Sequence, residues 1–176
     1  MKAKSKMTNG FIYINSDILL DERLFKELLE KKDDIVLVVD NSYLYHKHEI
    51  DKKLDAVVTK KGKKQIYQRL REPNDELVLI GNQLPAEIMT HEYIGLAKFS
   101  KKGAENFIKI YEDCKTNSSG KFHEAESFEK ANDTDLLQEM VDRGFKISIH
   151  ETNGGWMEIH TEKDLEVARE TISKFY

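Results

Sequence analysis

Short apolar runs alternate with amphipathic stretches along most of the chain. Phe11 to Asn15 is apolar and rich in β-formers. Glu22 to Lys31 carries Leu24, Phe25, Leu28 and Leu29 at helical spacing, which predicts an amphipathic helix. Ile35 to Val39 is a near-continuous apolar run, the pattern of a strand buried on both faces. Ala56 to Thr59, Leu77 to Ile80 and Tyr93 to Phe99 predict three further strands. Ser100 offers an N-cap for a helix with Ala104, Phe107, Ile108 and Tyr111 on one face. Thr134 or Asp133 is the expected cap of a second helix carrying Leu136, Leu137, Met140 and Val141, with Gly144 as its stop. Lys146 to Ile149 and Trp156 to Ile159 predict two strands around an Asn153-Gly154-Gly155 turn. Thr161 and Asp164 form a capping-box-like pair that opens a last helix.

This alternation predicts an α/β layered fold with a mixed, mostly parallel sheet. The chain has 176 residues, enough for one domain with a real core. Two prolines, Pro73 and Pro85, fall in connecting segments, and Thr116 to Gly120 predicts a surface loop. No repeat and no interdomain linker is visible.

Composition narrows the function classes. The net charge of −4 leaves no basic excess for a nucleic-acid backbone. An anionic ligand would be held by local lysines rather than by a global field. No run approaches the roughly 18 apolar residues that span a bilayer, and the basic start is not followed by a secretory apolar region. One cysteine, Cys114, suits a reducing, cytoplasmic setting. There is no P-loop, no GxGxxG and no GxSxG.

In a layered α/β sheet, ligands bind beyond the carboxyl ends of the strands. Asp17 lies just past the first strand, where alternation puts it on the face of Tyr13 and Asn15. It is either a site acid or a turn aspartate. Asp40 ends the next strand, as a site acid or as an Asx-turn that closes the strand. Trp156, Glu158 and His160 share a strand face, either as a site wall or as a solvated face beside a half-buried tryptophan. His46 and His48 flank Lys47 in a loop without the partners of a zinc site. The Lys60 to Lys64 run has the pattern of a solvated turn.

The runs YINSDILLDERLFKELLE (Tyr13 to Glu30) and DIVLVVDNS (Asp34 to Ser42) resemble the middle of nucleotidyltransferases that act on choline phosphate, phosphonates or sugar phosphates. GNQLPAEIMTHEYIGLAKFSKKGAE (Gly81 to Glu105) and TDLLQEMVDRGFKISIHETNGGWMEIHTEKDLEVAR (Thr134 to Arg169) are more specific. Together, in order and over nearly the whole chain, they resemble the nucleotidyltransferase domain associated with phosphoenolpyruvate mutase in phosphonate biosynthesis. The resemblance implies a Rossmann-like sheet and transfer of a nucleotidyl group, with CTP as the expected donor and pyrophosphate released. It implies Mg2+ as cofactor and an anionic small-molecule acceptor, a phosphonate first, then phosphocholine or a sugar phosphate.

Residue by residue, Asp17 matches the metal-binding aspartate, and Glu158 with His160 the second metal position. The family often has an acid where this chain has His160, and imidazole is the poorer magnesium ligand. Either Glu158 carries the metal alone, or the site is weakened. Glu92 and Lys98 match the acceptor side, Trp156 would line that pocket, and Asp40 is grouped with them as a substrate contact. The family's glycine-rich loop has no counterpart before Phe11. The sequence thus predicts the acceptor- and metal-binding C-terminal part of such an enzyme, truncated at the N-terminus. Its first strand would be an exposed edge seeking a second copy or a complementing N-terminal polypeptide. The alternative is a non-catalytic binding or oligomerisation module.

Overall fold

The structure, a computed structural model, describes residues 3–42, 54–62 and 75–175. His46, Lys47, His48, Lys63, Lys64, Arg71 and Pro73 lie outside the described residues. In chain order the elements are β1 (Phe11–Ile14), β2 (Ile18–Leu20), α1 (Glu22–Glu30), β3 (Ile35–Asp40), β4 (Ala56–Thr59) and β5 (Asp75–Gly81). They continue with β6 (His91–Phe99), α2 (Lys101–Asn117), α3 (Asp133–Asp142), β7 (Ser148–Thr152), β8 (Trp156–Glu158) and α4 (Glu162–Phe175).

Six strands form one mixed sheet in the order β1-β6-β3-β7-β5-β4. β3 is its centre, and all six of its residues are buried, as the apolar run requires. Ile35, Leu37 and Val39 face the larger core, filled by Ala104, Ile110 and Cys114 of α2 and Leu136, Leu137 and Met140 of α3. Val36 and Val38 face a second core with Leu28 of α1 and, packed against it, Ile18, Leu20 and Trp156. The fold therefore has three layers, with α2 and α3 on one face and α1 with a small β2–β8 sheet on the other.

The expectation of a mixed sheet holds, but its pairings are not mostly parallel. β3–β7 is parallel, whereas β1–β6, β3–β6, β4–β5, β4–β6 and β5–β7 are antiparallel. The causes are β6, which enters the sheet between β1 and β3 and runs against both and against β4, and β5, which runs against β4 and β7. Among the described strands β1 pairs with β6 alone, which leaves its second edge without a ladder.

The hairpin expected around Asn153-Gly154-Gly155 is not formed. Gly154 and Gly155 take φ values of +73° and +85°, a conformation that costs glycine little. The chain leaves β7 there, and β8 pairs antiparallel with β2 instead. The cap of α3 also differs from expectation. Asn132 is the N-cap, and Asp135 accepts its backbone N–H at 2.9 Å, while Thr134 is buried inside the first turn. Asp21 caps α1 and Ser100 caps α2 through their side chains.

β6 carries a bulge. Val38 pairs with Leu96 but Val39 with Tyr93, so Ile94 and Gly95 are extra residues. Gly95 has φ +71°, and a Cβ there would run into the side chain of Asn15, whose N–H donates to the Gly95 carbonyl at 2.9 Å. The bulge thus fixes the end of β1, two residues before Asp17. Gly95→Ala is expected to destabilise the protein by more than about 1 kcal/mol, through strain and the lost approach of Asn15. Urea unfolding with an unchanged m-value measures it.

Candidate active site

Asp17 sits in the turn between β1 and β2. Its carbonyl accepts the N–H of Ile159 at 2.8 Å, and the next residue, Ile18, is in register with Glu158. This pairing brings together three side chains that are far apart in sequence. His160 places Nδ1 at 3.8 Å from Asp17 Oδ2 and Nε2 at 3.1 Å from Glu158 Oε2. The imidazole lies between the two carboxylates. Its backbone is held in turn by Asp164, which accepts N–H groups from His160 at 3.1 Å and Thr161 at 2.8 Å. Thr161 and Asp164 open α4 as the sequence predicts. Among the described residues no three His, Cys, Asp or Glu side chains are already arranged as a metal ligand set.

Trp156 begins β8 and packs on the second core. Its Nε1–H donates to Asp40 Oδ2 at 2.7 Å. Asp40 is 1% exposed and accepts three further hydrogen bonds: Ser42 N at 2.7 Å, Ser42 Oγ at 2.8 Å and Gly154 N at 3.3 Å. Both carboxylate oxygens are thus engaged inside the protein. Asp40 is not an open substrate contact but the anchor of the Gly154-Gly155 turn and of Trp156. The Asx-turn reading of this residue is the structural half of its role. Glu92, buried at the start of β6, lies opposite Asp40 in the β3–β6 register.

Lys98 does not join them. It pairs with Val36 near the far end of β6, six residues from Glu92, or about 20 Å at strand rise. Its Nζ donates to the carbonyls of Leu29, at 3.3 Å, and of Lys31. An α-helix leaves its last carbonyls unpaired, and a lysine ammonium beside them is a favourable partner. Lys98 therefore caps α1 and is not an acceptor-binding lysine.

Sequence reasoning missed two polar groups near the carboxyl ends of the strands. One is a chain of hydrogen bonds behind Asp40. Asn153 Nδ2 donates to Asn41 Oδ1 at 2.7 Å, Asn41 donates to Glu151, and the Glu151 carboxylate lies 3.5 Å from His91 Nε2. His91 Nδ1 meets Thr90 Oγ1 at 2.9 Å, whose hydroxyl donates to the Val57 carbonyl at 2.9 Å. The other sets the phenol of Tyr13 of β1 beside Asp133 at the start of α3. Burial raises the Tyr13 phenol above its ordinary range, and Asp133 adds to that rise. Burial also raises the Asp133 carboxyl, against the pull of backbone N–H groups at the helix start. The periodicity placed Tyr13 on a strand, but not its partner 120 residues away.

With this geometry in place, likeness to known proteins becomes informative. No protein-family model matches the chain. A CTP:phosphoglutamine cytidylyltransferase of Campylobacter jejuni subsp. jejuni serotype O:2 is 26% identical over 155 residues, covering 86% of this chain and 56% of that protein. The structure of the inositol-1-phosphate CTP transferase from T. maritima superposes with a TM-score of 0.59 at 19% identity, over 94% of this chain and 56% of that one. The UTP-bound UGPase from Acinetobacter baumannii gives 0.63 at 11% identity, over 99% and 54%. The chain has a nucleotidyltransferase fold. It spans about half the length of these relatives.

Within this nucleotidyltransferase fold, Asp40 can be tested alone. Asp40→Asn turns one acceptor oxygen into a donor facing other donors. It is expected to cost about 2–4 kcal/mol, from lost charge-assisted bonds and a mispaired amide. Trp156 is the one tryptophan of the chain. Its emission should shift to the red in the folded variant as the indole loosens. Denaturant titration followed by fluorescence reads both quantities.

Proposed function

We propose that the chain carries the metal- and acceptor-binding part of a cytidylyltransferase, which moves a cytidylyl group from CTP to a phosphonate or phosphate acceptor. One observation carries this reading: the β2–β8 pairing brings Asp17 and Glu158 to one corner, outside the carboxyl end of β1. The fold and the sequence likeness to a CTP-dependent relative support it. The phosphonate, as first acceptor, rests on the resemblance of the runs from Gly81 to Glu105 and from Thr134 to Arg169.

In nucleotidyl transfer, an acceptor oxygen attacks the α-phosphorus of the triphosphate and the P–O bond to pyrophosphate breaks. The protein contributes position and charge neutralisation rather than a covalent intermediate. The residues here fit a magnesium ion, which binds through one or two carboxylates and completes its shell with water and substrate phosphates. Asp17 and Glu158 would hold it, and it would neutralise charge on the phosphates. His160, now joining the two carboxylates, must turn aside or stay as a neighbour that donates to them. The β2–β8 pair orients both acids, and Asp164 holds the backbone of His160. Trp156, fixed by Asp40, gives the acceptor a rigid apolar wall.

Thermal unfolding of the purified chain with magnesium tests the reading. A ligand that binds only the folded state raises the melting temperature by mass action. 2-Aminoethylphosphonate with Mg2+ is expected to raise it, and Asp17→Ala to abolish the rise without unfolding the protein. No rise with any phosphonate or phosphate acceptor, at any magnesium concentration, would refute the proposal. His160→Asp, which replaces imidazole by a harder oxygen ligand, is expected to tighten magnesium binding. Calorimetric titration of both proteins with Mg2+ measures the difference.

A further inference from the structure

The Lys60 to Lys64 run plays no part at the corner of Asp17. Its first two members instead line a cavity of about 280 Å3 together with Lys31 and Lys146. The sheet register builds this cavity. Val36 of β3 lies opposite Ser148 of β7, and Ser148 opposite Glu76 of β5, so the three side chains share one face of the sheet. That face is the one covered by α1, since Val36 packs in the second core with Leu28. Lys60 follows β4, where its N–H donates to the Glu76 carbonyl at 2.9 Å, and Lys31 ends α1. Val36 stands four residues before Asp40 on β3, about 13 Å at strand rise, so the cavity is separate from the corner of Asp17 and Glu158.

Among the described residues of the lining, four ammonium groups meet three carboxylates, in a chain whose net charge is −4. Two of the lysines share one acid. Glu76 Oε1 lies 3.1 Å from Lys146 Nζ, and Glu76 Oε2 lies 3.8 Å from Lys60 Nζ. The other two acids are engaged elsewhere. Asp33 accepts the Ser148 hydroxyl at 2.9 Å, and Asp75 accepts the backbone N–H groups of Lys61 at 3.1 Å and Glu76 at 2.9 Å. The Lys60 and Lys146 side chains are more than half exposed, and ion pairs of that kind hold weakly, so Glu76 exchanges readily for another anion. A monovalent anion would only replace Glu76 charge for charge. An anion with two or more charges draws on both lysines at once, and ammonium groups serve phosphate as point charges.

We propose that this cavity binds a small, multiply charged phosphate anion such as pyrophosphate. Its volume, just under the roughly 300 Å3 at which ligand pockets begin, suits a bare anion better than a nucleotide. Binding there requires neither the acids of the corner nor a metal, and Glu76 acts as the internal competitor for the lysines.

Calorimetric titration of the whole chain tests this, at fixed ionic strength and with EDTA to keep divalent cations off the corner. The probes are pyrophosphate, inorganic phosphate, glycerol phosphate and acetate. Pyrophosphate is expected to bind about tenfold or more tightly than acetate, the effect of one added charge-assisted contact. The order of phosphate and glycerol phosphate tells a free anion from the phosphate end of a larger molecule. Lys60→Gln and Lys146→Gln are each expected to weaken pyrophosphate severalfold, and Glu76→Gln, which removes the competitor, to tighten it severalfold. Lys130→Gln is the control, because Lys130 is exposed and lines no part of the cavity. Equal affinity for pyrophosphate and acetate, a loss with Lys130→Gln as large as with Lys146→Gln, or no gain from Glu76→Gln overturns the site.

Discussion

Asp40 is a charge taken almost wholly out of water, and it persists because donors from three residues, Ser42, Gly154 and Trp156, surround it. An uncompensated buried carboxylate would be costly enough to unfold the end of β3. With its donors present, it fixes the Ser42 turn, the Gly154 backbone and the Trp156 indole at once. The carbonyl of Gly155 then accepts the N–H of Asp21 at 2.8 Å, which ties the same turn to the cap of α1. From this point β8 is aimed at β2 rather than back along β7. The approach of Glu158 and His160 to Asp17 follows from that aim. The corner of acids is thus downstream of a structural aspartate some 118 positions before the glutamate it positions.

Much of the fold was legible from periodicity. The apolar run of β3 is buried on both faces, and the leucines of α1 at helical spacing supply Leu24 and Leu28 to the interior. Ser100 and the Thr161–Asp164 pair cap the helices that they precede. Alternation says nothing about which strands become neighbours, and there the sequence misled. Two runs around an Asn-Gly-Gly turn have the local signature of a hairpin. The outcome was decided by Asp40, a contact across 114 residues to Gly154 that no local pattern encodes. The directions of β5 and β6, which make the pairings of the large sheet mostly antiparallel, are likewise set by topology and not by composition.

The site was legible to a similar degree. Position after a strand pointed to Asp17, a shared strand face to Trp156, Glu158 and His160, and the resemblance to all four; the structure brings Asp17, Glu158 and His160 within one corner. Lys98 shows the limit of motif transfer. The lysine stands in a matching motif, yet its ammonium is engaged by the carbonyls that end α1. Asp40 shows the reverse case: a turn-forming aspartate that governs the site without facing it. The Tyr13–Asp133 contact and the chain from Val57 to Asn153 were invisible because each joins residues on different layers or strands.

The most direct test of a metal corner at the β1–β2 turn is a titration of the 15N-labelled chain with Mn2+ as a stand-in for magnesium, followed by amide spectra. Carboxylate sites suited to magnesium also accept manganese, whose unpaired electrons broaden nearby signals. The proposed metal corner predicts that amides of Asp17, Ile18 and Glu158 through His160 disappear first, and that excess Mg2+ restores them. Broadening that starts elsewhere, or that spreads evenly over the acidic surface, would contradict a metal site at this corner.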